Sequence, residues 1–381
     1  MTSHRCLLFV LAISVYLVGA TEFMLSAIMF PLANAFNVQA LQISWLISAY
    51  AFSYALAAPV VGFFSDKMDK RKMLLVAMLF ISIDSIAITF APNLLIALIL
   101  RVFGGVASAA LVPITFAFIS DVIDENKQAI AMGYVMLGMT LGIITGPILA
   151  GVMTQYFSWR MPFIFMAVGG LLVLFISIKV LPSVASSTVK QGSFNIFKQG
   201  MISKFIIAKG IWNGITVCLF LLAGEILRSR YQFNSAMTGS LMGLFGIGLI
   251  IGNSIVAKVV SYKVSELSLV LAIIRLLFMI ILLFISDWLT LIGDCFCLFG
   301  FGVLLGLISP ISTSLLARLN VNNKGLILSI SESFNNIVLL LAIPLFSWLI
   351  SEGRVLTSTI LISLLFSIVI FFITRVKVAM R

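Results

Sequence analysis

The chain is poor in charge, in histidine and in pairable cysteines. Only 10% of its 381 residues are charged, whereas 62% are hydrophobic; soluble domains carry about 25% charged residues. One soluble core could not hide so much apolar surface, so a polytopic membrane protein is indicated. The one histidine, His4, lies in the N-terminal tail. Proton chemistry inside a bilayer would therefore have to rest on carboxylates. The cysteines are Cys6, Cys218, Cys295 and Cys297. They make no zinc-type pairing with histidine, and Cys295 and Cys297 point to different faces of a helix. Neither a metal nor a cofactor is expected. No Walker sequence is present, which excludes an ATP-driven pump built from this chain alone. The net charge of +11 is spread over short loops and not gathered in an aromatic-interleaved basic domain. It points to membrane orientation and away from nucleic acid.

Long apolar runs are what the chain has instead. A spanning helix needs about 20 apolar residues, and twelve such runs are found, near 7–31, 43–64, 73–91, 94–118, 129–153, 161–181, 204–227, 236–257, 267–285, 289–316, 326–350 and 355–374. The first is too long for a signal h-region and is read as span 1. The longest stretch between spans, 182–203, follows the sixth and divides the chain into bundles at 1–181 and 204–381. Sixteen Lys and Arg fall on the side of the termini and four, Arg160, Arg228, Arg230 and Arg354, on the other. That asymmetry predicts both termini in the cytoplasm. The halves echo each other: basic loops follow spans 2 and 8, and spans 1 and 7 carry Glu22 and Glu225. The expected fold is all-α, with twelve transmembrane helices in two six-helix pseudo-repeats. Repeated halves around a midplane site are the plan of many secondary transporters.

Three motifs carry more than topology. The loop after span 2 reads GFFSDKMDKRK, with Gly62, Asp66, Lys67, Arg71 and Lys72 at telling positions and Asp69 where a glycine would ease a tight turn. Span 4 contains LILRVFGG, which places Arg101 within the bilayer. Span 5 sets Gly133, Gly142, Gly146, Pro147 and Gly151 in a fixed register, Ala150 standing just before the last. Gly142-x3-Gly146 lets another helix approach closely, and Pro147 removes a backbone hydrogen bond at a point where a gate could flex. The glycine string of span 8, GLFGIG, lacks the strand and lysine of a nucleotide loop and is read as helix packing.

These elements resemble the major facilitator superfamily. The first is similar to its G-x-x-x-D-R-x-G-R-R loop, the second to its R-x-x-q-G pattern with Gly104 at the glutamine, the third to its exporter motif G-x8-G-x3-G-P-x2-G-G. YFSWRMPFIFMA after span 5 and ATEF in span 1 resemble the drug and metabolite exporters of that superfamily. The resemblance implies alternating access by a monomer in a bacterial-type plasma (inner) membrane, with small molecules exported in exchange for protons. It also implies that Asp66 latches the halves, capping a helix of the other half such as span 11. Alternatives are an exporter specific for one metabolite, a proton symporter working as an importer, and a transport-dead scaffold.

Helical rise relates the embedded charges. Glu22 lies roughly 22 Å from the inner end of span 1 and Arg101 roughly 10 Å from the outer end of span 4, which nearly coincide in a core about 30 Å thick. Glu22 is therefore expected near Arg101 in a central cavity, as a proton carrier or as half of a fixed ion pair. Glu225 is the analogous candidate in span 7, with an exposed acid beside Arg228 and Arg230 as the alternative. Asp84 and Arg275 are expected to pack or snorkel, and Glu332 to face the cytoplasmic vestibule or the loop of Lys70 and Arg71. Tyr50, Tyr54, Trp212, Asn213, Asn335 and Asn336 are candidates for the cavity wall, with ordinary packing as the alternative for each. Few cavity charges suit lipophilic or cationic substrates.

Overall fold

The computed structural model describes residues 2–64, 68–183, 200–259, 266–285, 290–319 and 324–375. Among them every regular element is helical. In chain order these are α1 (Thr2–Phe23), α2 (Leu25–Phe36), a 3-10 turn at Ala40–Ser44, α3 (Trp45–Phe64), α4 (Lys70–Ile88), α5 (Leu94–Val122), α6 (Glu125–Tyr156) and α7 (Met161–Val180), followed by α8 (Gly200–Tyr231), α9 (Ser235–Val259), α10 (Glu266–Ile285), α11 (Leu291–Leu319), α12 (Lys324–Ser351) and α13 (Val355–Arg375). Each apolar run falls on a helix, the first shared between α1 and α2. Ten candidate spans among the described residues are long and apolar enough to cross a membrane. Large apolar side chains on the outer faces, such as Phe103, Phe175 and Leu356, stand exposed where lipid would cover them.

Local chemistry explains where the helices begin and break. Asp69 caps α4, its carboxylate accepting the Arg71 N–H at 2.9 Å, and its φ of −61° needs no glycine. The departure from the loop motif at this position therefore exchanges a flexible turn for a capped helix start. Asn93 caps α5 in the same way, accepting from Ile96 N at 3.0 Å. The first span breaks at Met24, beside Glu22. The Ser26 hydroxyl donates to the Phe23 carbonyl at 2.8 Å there, so the irregular backbone keeps a partner inside the apolar bundle.

Small residues set the helix spacing. Cβ atoms added at Gly138, Gly142 and Gly146 would lie 2.0, 2.3 and 2.7 Å from the carbonyl oxygens of Ala12, Tyr16 and Ala20 on α1. Both sets advance by four residues, so α1 and α6 run in the same direction with backbones nearly touching. The opposite face of α6 meets α9: Gly151 lies against Ser235 O and Gly239 against Pro147 O, both leaving only 2.2 Å for a Cβ. The α9 glycines thus act in packing, with Gly248 and Gly252 closing on the Phe299 and Val303 carbonyls of α11. Gly133 differs from its expected role, because nothing lies within 4 Å of where its Cβ would be.

Among the described residues, contacts between segments before and after the 182–203 stretch are found at mid-depth and toward the end away from the termini. Ser333 donates to the Ala55 carbonyl at 2.5 Å, Ser347 to the Leu41 carbonyl at 2.8 Å, and Gly224 makes room for the Ser26 carbonyl. At the termini end, Lys70 pairs with Asp121 and Arg71 donates to the Ile178 carbonyl at 2.6 Å. Asp66 and Lys67 lie outside the described residues, as do the surroundings of Gly62, and with them the expected latch.

Gly138→Leu should force α1 and α6 apart and lower the melting temperature of the detergent-solubilised protein, by a destabilisation of about 1–3 kcal/mol typical of overpacking. Gly133→Leu, facing open space, should leave the thermal unfolding curve unchanged; equal effects of the two would contradict the packing.

Candidate functional site

Five helices bring polar groups into the middle of the bundle. They are Glu22 from α1, Tyr50 and Tyr54 from α3, Arg101 from α5, Lys209 from α8, and Glu332 with Asn335 from α12. Their arrangement departs from the expected one at several points, each for an identifiable reason.

Arg101 is paired with Asp84. Its Nη1 donates to Asp84 Oδ2 at 2.9 Å, and both side chains are 1% exposed. The antiparallel hairpin α4–α5 places both residues within about two turns of the same end. Gly104 provides the space, since a Cβ there would lie 2.3 Å from Asp84 Oδ2. Glycine at the position where the motif has glutamine thus admits a buried carboxylate. Asp84 is not a peripheral packing residue but the counter-ion of the embedded arginine. Arg101 also sits over the Tyr50 ring, 4.9 Å from its centroid, and Tyr54 follows at 6.1 Å between ring centroids.

Glu22 has no hydrogen bond or ion pair among the described residues. It is half-buried, and the charges that act on it are those of Arg101 and Glu332. The fixed ion pair with Arg101 is therefore not formed in this structure. Glu22 stands as an unpaired carboxyl group under the influence of a guanidinium that Asp84 already engages.

Glu332 faces neither Lys70 nor Arg71. Its Oε1 accepts from Lys209 Nζ at 3.1 Å and its Oε2 from Asn335 Nδ2 at 2.8 Å. Lys209 is 1% exposed, whereas Glu332 is 46% exposed, so the pair has a buried base and an open acid. Lys209 was the residue missed by sequence reasoning. It lies nine residues into α8 and Glu332 eight residues into α12, which equal rise puts at the same depth. Asn336 turns back to its own helix, donating to the Glu332 carbonyl at 3.0 Å, and Asn213 is half-buried. Trp212 does not line an open wall: it is 1% exposed and belongs to the packed core.

Glu225 lies beside Arg228, as in the alternative weighed for it, but it is buried and not exposed. Arg228 grips it with two bonds, Nε to Oε2 at 2.8 Å and Nη2 to Oε1 at 2.7 Å, and stacks over Phe30 of α2 at 3.8 Å. The bidentate pair lies within α8, and the contact of Arg228 with the Phe30 ring is what ties it to α2. In the first turn of α11, Asp294 accepts from Arg230 at 2.9 Å and from the Tyr231 hydroxyl at 2.6 Å. No cluster of metal-ligating side chains occurs among the described residues.

Lys209→Met should strand Glu332 and destabilise the fold, by less than the roughly 3–5 kcal/mol of a fully buried pair because the acid is half open. Adding Glu332→Gln should recover part of the loss. A double-mutant cycle on thermal unfolding checks this, and strictly additive effects would contradict the pair.

Comparisons with known proteins agree with this architecture. A family model described as Major Facilitator Superfamily matches residues 11–320. An uncharacterized MFS-type transporter of Bacillus subtilis, YfhI, is 28% identical over 68% of this chain and 65% of its own length. Multidrug resistance protein 2 of Bacillus subtilis is 22% identical over 77% of this chain and 76% of its own. The chain spans about 64–65% of the length of the first relatives it matches. Among solved structures, a D-xylose-proton symporter superposes with a TM-score of 0.78 at 12% identity, covering 97% of both chains, which speaks for the fold alone. The chain belongs to the Major Facilitator Superfamily, whose members are membrane transporters and not enzymes.

Proposed function

We propose that this transporter exports small lipophilic or cationic molecules in exchange for protons, with Glu22 as the shared site. The observation that carries the reading is the charge inventory of the central cluster. Arg101 and Asp84 neutralise each other, as do Lys209 and Glu332. Glu22 is left as one acid without a partner among the described residues. An unpaired carboxylate at that depth is stable when it holds a proton or when a cation lies against it. One negative charge that accepts either is the minimum device for exchange.

The architecture supports alternating access by two six-helix halves, 1–181 and 204–381, joined by 182–203. With twelve crossings and both termini in the cytoplasm of a bacterial cell, the close contacts at the end away from the termini correspond to a state shut on the outside. The half-exposed Glu332 would then face the cytoplasmic cavity. Export rather than import is favoured by α6, where Gly142 and Gly146 rest on α1 while Pro147 and Gly151 rest on α9. A bend at Pro147 would shift one contact relative to the other. The similarity to proteins named for multidrug resistance points the same way, whereas the symporter shares the fold only.

Everted vesicles loaded by respiration give the test. A panel of lipophilic cations and neutral drugs should release protons on addition to the wild type, and Glu22→Gln should abolish the release while binding of the same compounds stays measurable. Wild-type efflux by the Gln variant would sink the assignment. A response confined to one metabolite would replace multidrug export by specific export.

A further inference from the structure

The pair of Asp84 and Arg101 is only half made. One guanidinium nitrogen reaches one carboxylate oxygen, at 2.9 Å. Arg101 Nε and Asp84 Oδ1 are buried without hydrogen-bond partners among the described residues. Arginine and carboxylate ordinarily satisfy each other with two parallel bonds, and a buried pair that does not is poised to rearrange. Glu22, on which the charge of this arginine acts, has no hydrogen-bond or ion-pair partner among the described residues.

We propose that Asp84 is a positioning residue that competes with Glu22 for Arg101. While Glu22 is protonated, Arg101 rests on Asp84, as in this structure. When Glu22 gives its proton to cavity water, Arg101 turns its spare N–H groups to the new carboxylate, and Asp84 keeps the remaining contact. No other bond changes, and Asp84 and Arg101 keep their charges throughout. Gly104 is part of the device, because the acid sits in the space its missing side chain leaves.

The proposal rests on reading Glu22 as the proton site. The groups acting on Glu22 are Arg101 of α5, Glu332 of α12, which Lys209 of α8 partners, and Tyr50 and Tyr54 of α3. Asp84, on α4, faces Arg101 of α5. One turn beyond it, Arg160, at the start of α7, donates its Nε to the Thr89 carbonyl at 2.8 Å. Asp84→Asn removes the competitor and leaves Arg101 to Glu22, which favours the ionised form. Titration of Glu22 should therefore move to lower pH.

The test is an infrared pH titration of the purified full-length protein, following the protonated-carboxyl band that Glu22→Gln removes. Asp84→Asn should lower its midpoint by about one pH unit or more, and Asp84→Glu should restore it. Gly104→Ala, which drives a methyl into the space of the Asp84 carboxylate, should move it the same way and decides the matter if Asp84→Asn does not fold. A folded Asp84→Asn or Gly104→Ala protein with the wild-type midpoint overturns the proposal. If Glu22→Gln removes no titrating band, the proton-site reading itself fails and this proposal falls with it.

Discussion

A charge inside hydrocarbon has to be neutralised, and the rest of this structure is arranged around that requirement. Where Born costs are high, partners must be within direct reach. The chain meets the demand with pairs that also tie helices together. Asp84 and Arg101 join α4 to α5, Lys209 and Glu332 join α8 to α12, and Asp294 receives Arg230 and so joins α11 to α8. Each pair fixes two helices at one depth as well as cancelling charge. Glu22 is the exception within the central cluster, and it lies next to the break at Met24, where the first span is least regular.

The second constraint is backbone proximity. Contacts made through glycine place one carbonyl against another helix with no side chain interposed. Helices packed this way are close, yet they hold few interlocked rotamers that would resist sliding. α6 has such contacts on two faces, toward α1 and toward α9. Its proline lies between them in sequence, at the point where the ladder lacks a bond. Under the two-bundle reading proposed above, a helix with one face on α1 and the other on α9 would turn a small bend into a change of angle between the halves.

Fold and family were legible because they depend on hydrophobic run length and on motif spacing, both one-dimensional. The site was legible only in part. Depth arithmetic brought Glu22 and Arg101 to a common level but said nothing about azimuth, and Asp84 on the adjoining antiparallel helix reaches the arginine first. The signal was present, since Asp84 and Arg101 both sit within about two turns of one short connection and Gly104 opens a hole beside them. Lys209 escaped because a lone lysine within a span shows no role in sequence until its partner on α12 is placed. Gly133 and Gly138 show the converse error: the motif includes the first, whereas the four-residue step shared with α1 selects the second. Glu225 had the right span and symmetry, but an arginine three residues on captures it by a purely local rule.

One uncompensated carboxylate also bounds the energetics of exchange. If Glu22 carries either one proton or one substrate cation, a monovalent cation leaves as a proton enters and no net charge crosses. The membrane potential then contributes nothing and the pH gradient drives the whole cycle. A neutral substrate cannot replace the proton electrostatically, so its binding must shift Glu22 by desolvation or by drawing Arg101 toward the acid. That cycle moves one positive charge inward and gains about 2.3 kcal/mol per 100 mV. Under the proposed exchange, the same site would serve both classes of molecule with different driving forces, and Asp84, the arginine's other partner, would set how readily the acid gives up its proton when no cation is there to replace it.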